Sequence, residues 1–270
     1  MFVTPALALM TVFVAWPIVS AVRMSFYRWK GFGPMDDFIG LNNYRLVLRD
    51  EVFTDAVTHN LIIVVASILV QLPLGLAIAL LLNRRIKGRG LLRTIVFVPY
   101  VVAEVIAGVV WFQLLQPQYG IVEGIMKTVG LTPPDQGFLG TPSLALPTLF
   151  VVLTWKYPEQ RDRDPAQLDG ASWWQVQRRI AIPLLGPTIR TWCFLSMIGS
   201  LQQFDMVWIL TGGGPANATT TMATYLLNQG TGRHNYGIAG AASVILFAIG
   251  FVMALVYQVF VLRRDTAVER

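Results

Sequence analysis

Apolar residues in this chain fall in long blocks, separated by short charged stretches or turns rich in Gly and Pro. The first block runs from Thr4 to Val22 and would reach about 28 Å as a helix, enough to cross a hydrocarbon core of about 30 Å. The others are Leu61–Leu82, Thr94–Leu115, a weaker Leu144–Tyr157, Thr188–Leu210 and Gly237–Leu262. Lipid solvates neither backbone polar groups nor charges, so blocks of this kind read as spanning helices. The pattern predicts an all-α integral membrane protein with six spans in one domain. The first block lacks a basic leader and reads as an anchor; a cleavable signal ending near Ala21 is the alternative.

Composition agrees. Hydrophobic residues make up 54% and charged residues only 13%, against about a quarter charged in soluble domains. The formal charge is +6, and the basic residues cluster between apolar blocks. Arg84, Arg85, Lys87, Arg89 and Arg93 follow block two; Lys156, Arg161, Arg163, Arg178, Arg179 and Arg190 lie around the connection from block four to block five; Arg263 and Arg264 follow block six. The positive-inside rule puts these segments, and with them both termini, in the cytoplasm. Loops 23–60, 116–143 and 211–236 then face outward. No basic face interleaved with aromatics occurs, so nucleic acid is not expected as a partner.

The chemistry-bearing residues are few. Cys193 is the one cysteine, inside an apolar block, and His59 and His234 are the two histidines. No metal-ligand spacing results, and no cofactor is expected. The phosphate-binding pattern G-x-x-x-x-G-K-[ST] is missing from the sequence, so any ATP-driven motor belongs to a separate chain. No nucleophile or paired-carboxylate constellation suggests an enzyme.

Block four is short. Leu144–Tyr157 gives about 21 Å of helix, and Pro158 and the polar run Glu159–Asp164 follow at once. Beyond it, Asp164–Pro183 reads DPAQLDGASWWQVQRRIAIP. Asp164 can cap a helix with Pro165 at its first position. Gly170 ends or bends that turn. Ser172 with Gln175 fits a capping box for a second helix, which Pro183 stops.

This segment resembles the coupling loop of binding-protein-dependent ABC importer permeases, whose pattern is E-A-A, three residues, Gly, nine residues, Ile, one residue, Leu-Pro. Asp164, Pro165 and Ala166 stand at E-A-A; Gly170, Ile180, Ile182 and Pro183 are in register. The run LDGAS at 168–172 resembles the carbohydrate-type subfamily, and so do IGLNNYRLVLRDEVFTDAVTHNLI at 39–62, LLRTIVFVPYVVAEVIAGVVWFQLL at 91–115 and LQQFDMVWILTGGGPANATTTMATYL at 201–226. The resemblance covers nearly the whole chain in order. It implies a six-helix type I importer transmembrane domain, paired with a second homologous permease chain, two ATP-binding subunits and an extracytoplasmic solute-binding protein. It further implies that Asp164, Ala166, Asp169, Gly170, Ala171, Ile180 and Pro183 couple the spans to an ATPase. Two departures stand out: Asp164-Pro165 replaces Glu-Ala, and Trp155-Lys156-Tyr157 runs straight into Pro158 where the family has a longer apolar stretch. Roughly half a span is missing, as expected of a deletion with local frame disturbance in the gene or the gene model.

Candidates for the solute path are Glu104, Trp111, Gln202, Gln203, Asp205 and Trp208. An acid within a span is usually paired or functional, though Glu104 can equally sit near the outer interface. Amides, carboxylates and aromatic faces suit sugar hydroxyls and rings; helix–helix hydrogen bonding or an interfacial belt is the alternative for each. Gly212, Gly213, Gly214 and Pro215 predict an outer turn. The expected function is an inner-membrane permease subunit for a sugar or sugar derivative. The alternatives are an ion-coupled secondary transporter and a non-transporting remnant.

Overall fold

The computed structural model describes residues 3–82, 88–157, 179 and 182–262. Among them every regular element is a helix, apart from an isolated antiparallel bridge between Tyr27 and Phe38. Besides two single helical turns, Gly137–Gly140 and Ile182–Leu184, the helices are α1 (Thr4–Ser25), α2 (Asn42–Arg49), α3 (Glu51–Leu82), α4 (Arg89–Val101), α5 (Glu104–Leu114), α6 (Ile121–Thr128), α7 (Pro142–Lys156), α8 (Gly186–Leu201), α9 (Asp205–Leu210), α10 (Met222–Leu227) and α11 (Tyr236–Val261). By length and composition α1, α3 and α11 can each cross a membrane, and α4 with α5 forms a further candidate span bent by 102°.

Local sequence accounts for the irregularities. In α1 and α3 a widened helical turn, Thr11–Ala15 and Ser67–Gln71, closes shortly before a proline, Pro17 and Pro73. Proline lacks an N–H and clashes with the carbonyl four residues back; the wider turn relieves both. Asp50 starts α3 by accepting from the Val52 N–H at 3.0 Å, with Glu51 in the first turn favoured by the helix dipole. This helix is longer than the apolar block from Leu61 suggests, because capped polar turns precede the lipid-compatible part.

Two apolar groups hold the helices together. Ile63, Ala107, Leu149, Val152, Met206 and Val207 join α3, α5, α7 and α9; Val47, Phe53, Leu201, Met222, Ala241 and Ala242 join α2, α3, α8, α10 and α11. Lipid tails are as apolar as these side chains, so close packing and hydrogen bonds decide association. Accordingly α11 meets α1 through small residues: a Cβ on Gly240 would lie 2.8 Å from the Ala21 carbonyl oxygen. Residues 4–19 of α1, Leu7, Phe13 and Trp16 among them, are exposed on every side of the helix.

The apolar blocks Thr94–Leu115 and Thr188–Leu210 are each interrupted. α4 stops at Val101, Val102 and Ala103 are extended, and α5 begins at Glu104. Likewise α8 ends at Leu201 and α9 begins at Asp205. Broken backbone is tolerated at membrane depth only where its polar groups are satisfied by protein or line a cavity. Both conditions hold. Lys156 at the end of α7, only 3% exposed, donates to the carbonyls of Pro99, Tyr100 and Val102 at 2.7, 3.0 and 2.6 Å. Asn60 of α3, fully buried, donates to the Ser200 and Leu201 carbonyls at 2.6 and 3.3 Å and accepts from the Met222 N–H at 2.9 Å.

α7 has 15 residues, about 22 Å of helix, and is among the shorter apolar helices. The short fourth block is therefore short as a helix too.

Candidate functional site

Between the two breaks lies a cavity of about 700 Å³. Its wall draws on α3 (Ile63, Ser67, Gln71), α4 (Val96, Phe97, Tyr100), the start of α5 (Glu104), the end of α7 (Leu153, Tyr157), α8 (Trp192, Ser196, Ser200) and the link to α9 (Gln202, Gln203, Phe204, Asp205). Each break presents side chains that an unbroken helix would aim elsewhere, which is how one bundle gathers polar groups from five helices and the link to α9.

Glu104 is the hub. Its Oε2 accepts from the Tyr157 hydroxyl at 2.9 Å, and its Oε1 accepts from Gln203 Nε2 at 3.0 Å. Gln71 Nε2 donates to the Tyr157 carbonyl at 2.9 Å, and Thr221 Oγ1 donates to the Gln203 carbonyl at 2.9 Å. The Lys156 ammonium stands 5.9 Å from the Tyr100 ring centre and 5.4 Å from that of Tyr157, within cation–π range. The wall thus offers amides, hydroxyls, a carboxylate and aromatic faces. That chemistry suits hydrogen bonding to hydroxyls and stacking against a sugar ring. Among the described residues no group of three or more His, Cys, Asp or Glu converges to hold a metal.

Of the solute-path candidates, Glu104, Gln202, Gln203 and Asp205 meet at this wall. Trp111 and Trp208 do not line it. Trp111 packs edge-on to Trp155 with ring centres 5.4 Å apart, and its buried indole N–H meets no acceptor among the described residues. Trp208 stacks on Phe204 at 5.7 Å and is 42% exposed. The sequence reading missed Gln71, Tyr100, Tyr157, Trp192 and Ser196 as wall residues, and Lys156 as the group that caps the α4–α5 break. A signal existed for Lys156 alone: an ammonium closing an apolar helix must find partners.

The turn expected at Gly212–Pro215 is present. Gly212 and Gly213 have φ of 62° and 95°, values glycine takes without strain. Thr219 and Thr220 hydroxyls donate to the carbonyls of Gly214 and Gly213 at 2.8 and 3.0 Å. Of the residues expected to couple to an ATPase, Asp164, Ala166, Asp169, Gly170, Ala171 and Ile180 lie outside the described residues; Pro183 is exposed in a short helix, Ile182–Leu184, just before α8.

The chain is 31% identical over 280 residues to the trehalose/maltose transport system permease protein MalF of Thermococcus litoralis, an alignment covering 98% of this chain and 94% of that one. It is 31% identical to the probable ABC transporter permease protein y4oQ of Sinorhizobium fredii, covering 100% and 91%. Its fold matches a chain of a bacterial alginate ABC transporter, solved in complex with an alginate pentasaccharide-bound periplasmic protein, with a TM-score of 0.80, 24% identity and coverage of 95% and 91%. No protein-family profile matches the chain. The chain belongs to the carbohydrate-type ABC importer permeases, multi-pass membrane proteins that act as transport subunits. The alignment with the Sinorhizobium protein spans 287 positions, whereas the chain it covers completely has 270 residues. Positions of that relative therefore have no counterpart here.

Proposed function

We propose that this chain carries a sugar or sugar derivative across the inner membrane as one of two homologous permease chains. Two ATP-binding subunits would drive the pair, and an extracytoplasmic solute-binding protein would deliver the solute. The observation that carries this reading is the 700 Å³ cavity between two broken spans, walled by Glu104, Gln203, Gln71 and the rings of Tyr100, Tyr157 and Trp192. The naming of the Thermococcus relative for trehalose and maltose, and the periplasmic protein bound in the alginate transporter, support it.

In this reading the segment 164–183 is the cytoplasmic lever, with Asp164, Ala166, Asp169, Gly170, Ala171, Ile180 and Pro183 at the ATPase contact. ATP is hydrolysed in the partner subunits, and closure of the ATPase pair rocks the spans between outward-facing and inward-facing states. Both chain termini are cytoplasmic. The short α7 favours a second reading, a remnant that assembles without transporting.

Reconstitution of the chain with its partners in lipid vesicles tests both. ATP-dependent saccharide uptake that is lost when residues 164–183 are deleted supports the importer. An assembled complex without uptake supports the remnant. Uptake driven by an ion gradient without ATP would overturn the assignment.

A further inference from the structure

We infer that this chain's part of the solute site selects an uncharged, hydroxyl-rich solute and turns away anionic ones, with Glu104 as the specificity-determining side chain. The inference rests on the reading of the cavity as the solute path and names the class of solute it takes.

The charges on the wall carry the argument. Among the described lining residues the ionisable acids are Glu104 and Asp205, and there is no Lys, Arg or His. The cation beside this wall, Lys156, is buried with its Nζ donating to three backbone carbonyls. An ammonium has three donors, so all are engaged. Turning one toward a phosphate or carboxylate of a solute would leave a carbonyl of the α4–α5 break unpaired.

Helix ends are the other usual source of anion affinity, since free N–H groups and the dipole favour negative charge there. Here α5 begins on Glu104 and the short α9 on Asp205. Each half-helix that opens at the cavity carries its own acid in its first turn, so neither end is left to attract an anionic solute.

Glu104 is in contrast well prepared for hydroxyls. Each of its oxygens accepts one hydrogen bond from a neutral donor, Tyr157 or Gln203. A carboxylate offers about four acceptor positions, so each oxygen keeps one for a solute O–H. Both fixed donors come from other elements, which holds the carboxylate plane before the solute arrives.

The electrostatic claim is read directly by thiol chemistry on the assembled permease pair with its ATPases, without the binding protein. In a Cys193→Ser background, Ser196→Cys places a reporter on the cavity wall. The probes are a cationic and an anionic methanethiosulfonate of similar size. Relative to a free thiol, the cationic reagent is expected to react about tenfold faster than the anionic one, as a charged cleft steers its ligands. The preference should collapse when Glu104→Gln and Asp205→Asn are combined. An unchanged or anion-favouring ratio overturns the inference, and the ratio with the wall acids intact decides it even if the combined variant does not fold.

Uptake by the complete reconstituted transporter separates the two readings. A panel of neutral saccharides is compared with their phosphate and uronate counterparts. ATP-driven uptake confined to neutral sugars supports the inference. ATP-driven uptake of a phosphorylated or uronate sugar overturns it and leaves the importer assignment standing. Absence of any ATP-driven saccharide uptake strikes the importer assignment, while the reagent ratio still judges the charge argument.

Discussion

The ammonium of Lys156 sits 2.6 Å from the carbonyl oxygen of Val102, so the last turn of α7 closes the break between α4 and α5. Burying an ammonium is expensive, and breaking its contacts more so. Removing the ammonium orphans three carbonyls at once, each worth about 1–3 kcal/mol when buried and unpaired. Lys156→Met is therefore expected to destabilise the solubilised complex by about 2 kcal/mol, after the relief of burying a charge is set against that loss. Lys156→Arg should recover part of it. The apparent melting temperature of the assembled complex checks this, and an unshifted value in Lys156→Met would show that the break does not need its cap.

Tyr157 tests the wall rather than the frame. Tyr157→Phe keeps the ring and removes only the hydroxyl that holds Glu104. A hydrogen bond to a carboxylate is worth about 1.5–3 kcal/mol, roughly tenfold or more in an equilibrium. The solute concentration for half-maximal uptake should rise by about that factor, with melting behaviour little changed. A large drop in melting temperature without any change in uptake would assign Tyr157 a structural role.

Asn60 allows a sharper comparison. Asn60→Ala leaves two acceptors and the Met222 N–H unpaired, a loss of about 2 kcal/mol. Asn60→Asp keeps the shape but turns a carboxyl oxygen toward carbonyl oxygens that now receive a donor at 2.6 and 3.3 Å. The isosteric change is thus expected to be the more damaging, read as the lower melting temperature of the two. The reverse order would mean that packing volume outweighs hydrogen bonding at this position.

Gly240→Ala sets a Cβ against the backbone of α1, 2.8 Å from the Ala21 oxygen. Backbone cannot rotate away as a side chain does, so α1 must move, and overpacking of this kind costs about 1–3 kcal/mol. Gly199→Ala, where a Cβ meets nothing within 4 Å, is the matched control. Protease cleavage in the connection 26–41 should become faster in Gly240→Ala and stay unchanged in Gly199→Ala.

The blocks of apolar residues were enough to place most of the long helices, because spanning length and hydropathy are properties of the local sequence. The breaks were not legible. Tyr100-Val101-Val102-Ala103 is as apolar as its surroundings, and what satisfies the freed carbonyls there is Lys156, far away along the chain. Glu104, Gln202, Gln203 and Asp205 were visible as polar residues in or beside spans. Tyr157 and Trp192 were not, since an aromatic residue reads the same in a core, a belt or a cavity wall. Trp111 and Trp208 drew attention for the same reason, and the fold turns them away from the cavity.

The caps of the two breaks come from other spans, Lys156 from α7 and Asn60 from α3. Straightening either bent helix would strip partners from a neighbour that has no water to replace them. Spans tied in this way resist flexing one at a time and turn together. Any reorientation that opens the cavity to one side or the other must then be taken up at the exposed outer helices and the seam with a second chain, leaving the polar wall itself undistorted.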